Sequence, residues 1–409
     1  MTDRGADVDE DQPGAALVRQ YLLLGLRLGK HIDGLVDAYF GPPGIADRVK
    51  AEPVWEAARL HEQARTFRAA LDDPSETGMM DADRRRWLRA QVHGLTTVAA
   101  KLAGEKIGYA DEVEACYGVR PKPVPEDDLA AAHRALDDAL PGSGPLMDRY
   151  VTWREGHAVD PAVLDAAIRS LAEDFRDRTK TLFGLPDGEH IDFELVKDQP
   201  WSGFNYYLGD LRSRVAINTD LPVLSTSLGH LVAHEAYPGH HTEHTRKEVG
   251  LVRRRRQFEE TIFLVGTPQC LLAEGLADLG LEVILGPRPE PIIAEHLVPL
   301  GIPYDADVIA AVSVAGEALA AVRANVAWML HEEHRPVDEC VEYAMRWSLT
   351  TRDRAEKMIQ FLTDPTWRAY ISCYVEGLPL CRRFVGGDPQ RFERLITEQL
   401  IPEDLVPAA

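Results

Sequence analysis

The residues best suited to chemistry lie together at positions 234–241, which read HEAYPGHH. Histidine side chains bind metal ions, and a glutamate beside a liganding histidine can take a proton from water. These groups are the parts of a site that activates water for hydrolysis. The octet therefore predicts a metal-dependent hydrolytic centre, on the condition that its histidines can meet at one ion.

The spacing of the histidines does not suit an unbroken helix. His234 and His240 would lie about 9 Å apart along the axis and roughly 240° apart around it. His234 and His241 would share a face but lie about 10.5 Å apart, whereas each imidazole must come to about 2.0 Å from the ion. Pro238 and Gly239 both favour an interruption. We therefore predict a break at these two residues that returns a later histidine to His234, and the spacing leaves the choice between His240 and His241 open.

A catalytic zinc site needs a third protein ligand and an open position for water. Residues 271–278, LLAEGLAD, are predicted to be helical, with Glu274 and Asp278 on one face. An acid on so apolar a helix is costly to bury without a partner, so Glu274 is a candidate ligand. Asp278 is the weaker choice, because it can instead accept a hydrogen bond from a liganding histidine.

Other histidines offer weaker alternatives. His244 lies four residues after His240, a spacing that suits a metal on a regular helix, but that pair would lack a glutamate base beside it. His331 and His334 lie at a predicted helix end, where cations are favoured, and are expected at the surface.

The sequence resembles a known family over about residues 201–377. HEAYPGHH, the Val-Ala-Ile-Asn at 215–218 and the Ala-Glu-Gly-Leu-Ala at 273–277 are similar to the bacterial domain of unknown function 885. The resemblance implies a mostly helical, zincin-like protein with metallopeptidase activity. It also implies that the cofactor is zinc, and we expect one ion per chain.

The resemblance assigns roles to individual residues. It implies that His234, His240 and Glu274 bind the zinc ion and that Glu235 is the catalytic glutamate. It implies that His241 either supports a ligand residue by a hydrogen bond or contacts the substrate.

Two further features concern the substrate side of the site. After the Glu-Gly pair, the family shows a tryptophan and a later tyrosine, where this chain has Leu276 and Leu279. The segment 370–377 resembles the family's Tyr-x-x-Gly segment, and a tyrosine hydroxyl there can donate to a developing oxyanion. Tyr374 is the candidate; the alternative is an aromatic side chain packed in a core helix.

The remainder of the chain is predicted to be mainly α, with a small antiparallel sheet and hairpin immediately before the metal-binding helix. Period-two alternation between about residues 191 and 219 indicates that sheet. Its free edge can either brace the helices or pair with an extended substrate backbone. In the first half the predicted helices are 15–40, 81–102, 125–141 and 161–183.

No strong linker divides the chain. We predict a disordered tail over residues 1–14 and a single catalytic unit over 15–409. Within that unit, residues 15–188 form a helical half and residues 189–409 carry the metal site.

The composition indicates which classes of binding partner and which cellular compartment suit the chain. The formal charge of −21 argues against nucleic-acid binding and favours neutral or cationic ligands. The chain has five cysteines and no CxxC pair, and its first residues lack a basic, apolar leader, so we expect a cytoplasmic protein with reduced thiols. No apolar run reaches the length of a membrane span, and the pattern does not predict an oligomeric state.

Three functions fit these observations. The leading hypothesis is zinc-dependent hydrolysis of a small peptide or amide. The second keeps the metal but acts on a small non-peptide substrate. The third is a helical binding protein without catalysis.

Overall fold

Helices dominate the part of the chain that this computed structural model describes, which is residues 14–73, 77, 80–199 and 201–406. This confirms the predicted mainly α class, while the predicted tail lies outside the described residues except for Gly14. The helices before the sheet are α1 (Ala15–Leu28), α2 (Pro43–Ala51), α3 (Ala57–Asp72), α4 (Ala82–Leu102), α5 (Tyr109–Tyr117), α6 (Glu126–Ala139), α7 (Leu146–Glu155) and α8 (Pro161–Phe183).

The second half adds shorter helices. They are α9 (Ser225–Glu235), α10 (His240–Lys247), α11 (Pro268–Leu285), α12 (Glu290–Leu297), α13 (Ala306–Gly316), α14 (Val322–His331), α15 (Val337–Ser348), α16 (Arg352–Thr363), α17 (Ile371–Val385), α18 (Pro389–Thr397) and α19 (Pro402–Leu405). A π-helix over Glu248–Arg254 continues α10. The strands are β1 (Val36–Tyr39), β2 (His190–Val196), β3 (Gly203–Gly209), β4 (Arg212–Asn218) and β5 (Ile262–Leu264).

The predicted helix over residues 15–40 is wrong in its second half. Helix α1 ends at Leu28, and the chain then turns through Gly34, whose φ of 77° suits glycine, into strand β1. Strand β1 pairs in antiparallel fashion with β5. Its partner is more than 200 residues away along the chain, so local periodicity could not reveal the strand.

The predicted hairpin is present, since strands β3 and β4 pair in antiparallel fashion. The prediction of an antiparallel sheet is wrong for β2, which adds to the other side of β4 in parallel orientation. Alternation along a strand does not encode the direction of its partner, so the sequence pattern could not reveal this. The resulting order β2-β4-β3 leaves β3 at one edge of the sheet. The chain passes from β4 to α9, so the sheet stands directly before the helix that carries His234.

Helix α11 runs through the centre of the molecule. It is mostly apolar, and residues from both halves of the chain join it in one continuous cluster of buried side chains. Three acids spaced four residues apart, Glu274, Asp278 and Glu282, lie along one side of it. The packing of this helix therefore buries Glu274 in the core, although a carboxylate by itself favours exposure to water.

Helix α17 crosses α11 at two glycines. A Cβ added to Gly275 would lie 2.4 Å from the carbonyl oxygen of Gly377, and one added to Gly377 would lie 2.8 Å from the carbonyl oxygen of Leu271. Only glycine lets the two backbones approach this closely. The crossing places the tyrosines at the start of α17 beside Glu274.

We predict that Gly275→Ala separates α11 from α17. The added methyl group meets backbone rather than a flexible side chain, so the free energy of unfolding should fall by about 1–3 kcal/mol or more. Urea unfolding measures this change. Gly250→Ala is the matched control, because a Cβ at Gly250 meets nothing within 4 Å; an equal loss in both variants would contradict the close-approach argument.

Candidate metal centre

The predicted break in the HEAYPGHH segment is present. Helix α9 ends at Glu235, and α10 begins at His240 after a loop that contains a cis peptide bond before Pro238. A Cβ on Gly239 would lie 1.9 Å from the carbonyl oxygen of His234, so only glycine fits there. The loop turns the His240 ring edge-on to the His234 ring, with 4.7 Å between ring centroids.

The His234, His240 and Glu274 side chains converge on one point. The two histidine Nε2 atoms are 3.1 Å apart, His234 Nε2 is 3.4 Å from Glu274 Oε2, and His240 Nε2 is 3.7 Å from Glu274 Oε1. Ligands held at about 2.0–2.1 Å by a tetrahedral zinc ion lie ~3.3 Å from one another. The three side chains therefore fit a zinc ion with little movement.

The hydrogen bonds around this cluster orient its ligand atoms. The Nδ1–H of His234 donates to Asp278 Oδ1 at 2.9 Å, so Nε2 is the nitrogen that faces His240 and Glu274. Glu274 Oε2 is buried and has no hydrogen-bond partner among the described residues. An unpartnered buried carboxylate oxygen calls for an explanation, and a cation provides one. Asp278 thus occupies the supporting position that the sequence allowed for it.

The charges of the ligands suit a cation. Burial, followed by the nearby His234, lowers the pKa of His240 to about 4, so this ring is neutral at pH 7. Burial alone would lower the pKa of His234, but hydrogen bonds to Asp278 and Glu274 hold it well above its ordinary value. Protons and a metal ion therefore compete for His234, whereas His240 is ready to bind.

Glu235 stands at the end of α9, beside the edge strand. The side-chain amide of Asn205 donates to the carbonyl oxygen of Glu235 at 2.6 Å, and a Cβ at Gly203 would lie 3.1 Å from Glu235 Oε1. The Glu235 carboxylate makes no hydrogen bond or ion pair with another described residue. Burial raises its pKa to about 7; His234 opposes the rise, and Glu274 and Asp278 add to it. A carboxyl group of this pKa can both accept and return a proton near neutral pH.

His241 lies in a buried network of its own. Its Nε2–H donates to Glu189 at 2.9 Å, and its Nδ1 accepts from Ser213 at 2.8 Å. Tyr237 and Arg176 also donate to the Glu189 carboxylate, each at 2.6 Å. With no exposed surface, the His241 side chain anchors the loop instead of facing the cluster. Glu189, at the start of β2, carried no sequence signal for this role.

Two tyrosines of the 370–377 segment line the site. The Tyr370 hydroxyl donates to Glu274 Oε1 at 2.8 Å, and the Tyr374 hydroxyl lies 3.4 Å from that of Tyr370. Burial, then the Glu274 charge, raises the pKa of both well above its ordinary value, so both remain protonated donors. Tyr370 orients the ligand carboxylate, a role that the sequence did not assign. Tyr374 donates a hydrogen bond to the Tyr370 hydroxyl.

The remaining sequence candidates lie elsewhere. Leu276 and Leu279 are fully buried in the core, so the departure from the family pattern concerns packing rather than an open pocket. His244 stacks on Tyr207, with 4.7 Å between ring centroids. His331 is half-buried and bonds the carbonyl oxygen of Leu362 at 2.6 Å.

A second group of potential ligands adjoins the first. His230 Nε2 lies 3.3 Å from Asp278 Oδ1, the same oxygen that accepts from His234 Nδ1. His230, His234 and Asp278 together could hold an ion. Asp278 already accepts a hydrogen bond from His234 Nδ1. We therefore interpret His230 and Asp278 as residues that orient His234 for the first group of ligands, and not as a second metal site.

Comparison with known proteins yields a likeness of fold. No family model matches the chain, and no curated protein matches it. A solved structure described as the "putative lipoprotein from Colwellia psychrerythraea" superposes with a TM-score of 0.52 at 15% identity, covering 89% of this chain and 68% of that one. At this identity the likeness bears on the fold alone.

Among the helices of the described residues, none combines the length and the apolar character that a transmembrane span requires.

We predict that His240→Ala abolishes stoichiometric zinc binding, whereas His241→Ala retains it. The reason is that only the His240 ring reaches His234 and Glu274. Metal analysis of the purified variants after dialysis checks this. Thermal unfolding of both separates loss of a ligand from loss of fold, and zinc lost from the folded His241 variant alone would overturn the ligand assignment.

The Glu189 network predicts a pH-dependent contribution to stability. Burial alone would raise the pKa of Glu189, but hydrogen bonds from His241 and Tyr237 lower it from 4.5 to about 2. The stabilisation is thus present above pH ~4.5 and is lost as the pH falls toward about 2. The difference in unfolding free energy between the parent and Glu189→Gln should shrink over this range. A difference that stays constant across the range would contradict the shift.

Proposed function

We propose that this protein is a zinc-dependent hydrolase of peptide or amide bonds. The observation that carries the proposal is the approach of His234 Nε2, His240 Nε2 and the Glu274 carboxylate to separations of 3.1–3.7 Å, beside a glutamate with no partner of its own. A zinc ion bound there would supply a Lewis acid that polarises the scissile carbonyl and lowers the pKa of water. The resemblance to the domain of unknown function 885 supports the same chemistry.

The chain's own residues supply the proton transfers. Glu235 takes a proton from the attacking water and delivers it to the leaving amine. Its pKa of about 7 suits both steps. Tyr374, kept protonated by burial, would turn its hydroxyl from Tyr370 toward the developing oxyanion and donate a hydrogen bond to it. Asp278 and Tyr370 hold the ligands in place.

Strand β3 supports an extended substrate. It is an edge strand, and its first residues, Gly203 to Asn205, lie against Glu235. An edge strand offers unpaired backbone groups to a peptide. The missing side chain of Gly203 keeps the space beside the Glu235 carboxylate open.

We predict that Glu235→Gln retains zinc but hydrolyses peptides about 10²–10⁴-fold more slowly than the parent, because the amide cannot take the proton. Zinc-loaded protein incubated with a mixed peptide library, with products followed by mass spectrometry, measures this. Glu295→Gln, the same change at an exposed position on α12, is the control and should keep full activity.

The outcomes separate the alternatives. Undiminished turnover in the Glu235 variant would contradict the mechanism. Turnover of small amides or esters without any peptide cleavage would favour a non-peptide substrate. Stoichiometric zinc without hydrolysis of any of them would favour a binding protein.

A further inference from the structure

Asp37 is a carboxylate of the site that the proposed mechanism does not use. It lies on β1, where the pairing passes from Val36 with Leu264 to Ala38 with Phe263, so Asp37 is the extra residue of a β-bulge. Bulges re-aim a side chain and are frequent beside active sites. The bulge interrupts the regular alternation of side chains along β1 at Asp37.

The ends of the β1 segment are fixed on opposite walls of the site. At one end, a Cβ on Gly34 would lie 2.9 Å from the ring of Trp367, which packs edge-on against Tyr370 with 5.7 Å between centroids. At the other end, Phe40 packs edge-on against Tyr207 of strand β3, with 5.0 Å between centroids. Asp37 lies on the strand midway between these two contacts.

The electrostatics agree with this placement. Burial, then the charges of Glu274 and Glu235, raises the pKa of Asp37 to about 8. These two carboxylates come from α11 and α9, the helices that carry the proposed ligand and base. Asp37 is therefore near enough to both carboxylates for their charges to act on its own carboxyl group.

Asp37 has no partner that would explain a structural role. Its side chain is partly buried, yet it makes no hydrogen bond or ion pair with any other residue that the structure describes. Burying a carboxylate without a partner costs free energy, and such groups are characteristic of functional sites. Nor is Asp37 placed as a metal ligand: in the described ranges, the groups of potential ligands within 4.8 Å of one another do not include it.

The neighbouring acids lack basic partners as well. Glu274 and Asp278 interact with histidines and Tyr370. Within the described part of the chain, neither they nor Glu235 forms an ion pair with lysine or arginine. A divalent cation would offset the charges of Glu274 and Asp278, and a cationic group beside Asp37 would favour the ionised form of that carboxyl. The site therefore attracts positive charge.

We propose that Asp37 binds a positively charged group of the substrate, so that the site takes peptides or amides carrying a cation close to the bond that is cleaved. This inference rests on the proposed hydrolase function. The cation is either the free α-amino group of the first residue or a lysine or arginine side chain. Both offer N–H donors that form charge-assisted hydrogen bonds with a carboxylate.

Binding to zinc-loaded Glu235→Gln protein tests the proposal without turnover. The probes are Ala-Ala-Ala amide, acetyl-Ala-Ala-Ala amide and acetyl-Lys-Ala-Ala amide, titrated by calorimetry. At least one of the two cationic probes should bind about tenfold or more tightly than the neutral one. The cationic probe that is preferred identifies the source of the charge.

Adding Asp37→Asn should abolish that preference while leaving the affinity for the neutral probe unchanged. Adding Asp33→Asn instead, at an exposed position of the same segment, should leave the preference intact. Thermal unfolding confirms that each variant is folded. Equal affinities for all three probes, or a preference that survives in a folded Asp37→Asn protein, overturn the proposal.

The result is separable from that of the hydrolysis assay. A cation preference that depends on Asp37, in a protein that cleaves no peptide, would sustain this inference and refute the proposed chemistry. Peptide hydrolysis without any cation preference would support the proposed hydrolase function and refute the role of Asp37.

Discussion

The contact between the Gly239 backbone and the carbonyl of His234 is the constraint on which the rest of the site depends. It lets the chain leave α9 and begin α10 within four residues, so two histidines six positions apart bring their Nε2 atoms to 3.1 Å. The same turn points His241 into a buried network with Glu189. Pro238 in turn packs on Gly280 of α11, which ties the loop to the helix that carries Glu274.

Helix α11 supplies the second half of the arrangement. Glu274 and Asp278 lie one turn apart on it and approach opposite nitrogens of the His234 ring. A single rigid helix thereby fixes a ligand carboxylate and the carboxylate that orients a ligand histidine. The glycine crossing with α17 then allows Tyr370 to reach Glu274. The contact of Tyr370 with Glu274 therefore depends on two glycines that let the backbones of α11 and α17 approach.

The site is also defined by its negative charge. Asp37, Glu235, Glu274 and Asp278 come from three separate elements. Burial, and then the charges of the neighbouring acids, raise the pKa of Asp37 and Glu235. Folding tolerates this repulsion because the surrounding core is continuous and large. A metal ion and a cationic substrate group are the natural counter-charges for such a site.

The sequence by itself determined the mainly helical class, the hairpin before α9, the break at Pro238 and Gly239, and Glu274 and Asp278 as the acids of α11. These follow from local rules, namely periodicity, the backbone chemistry of proline and glycine, and helical spacing. It could not choose between His240 and His241, nor find Asp37, Glu189 or Tyr370. Their positions depend on pairing and packing between segments far apart in the chain, such as β1 with β5 and α11 with α17. Only the tertiary structure decides such contacts, because no local pattern encodes which distant surface a side chain will meet.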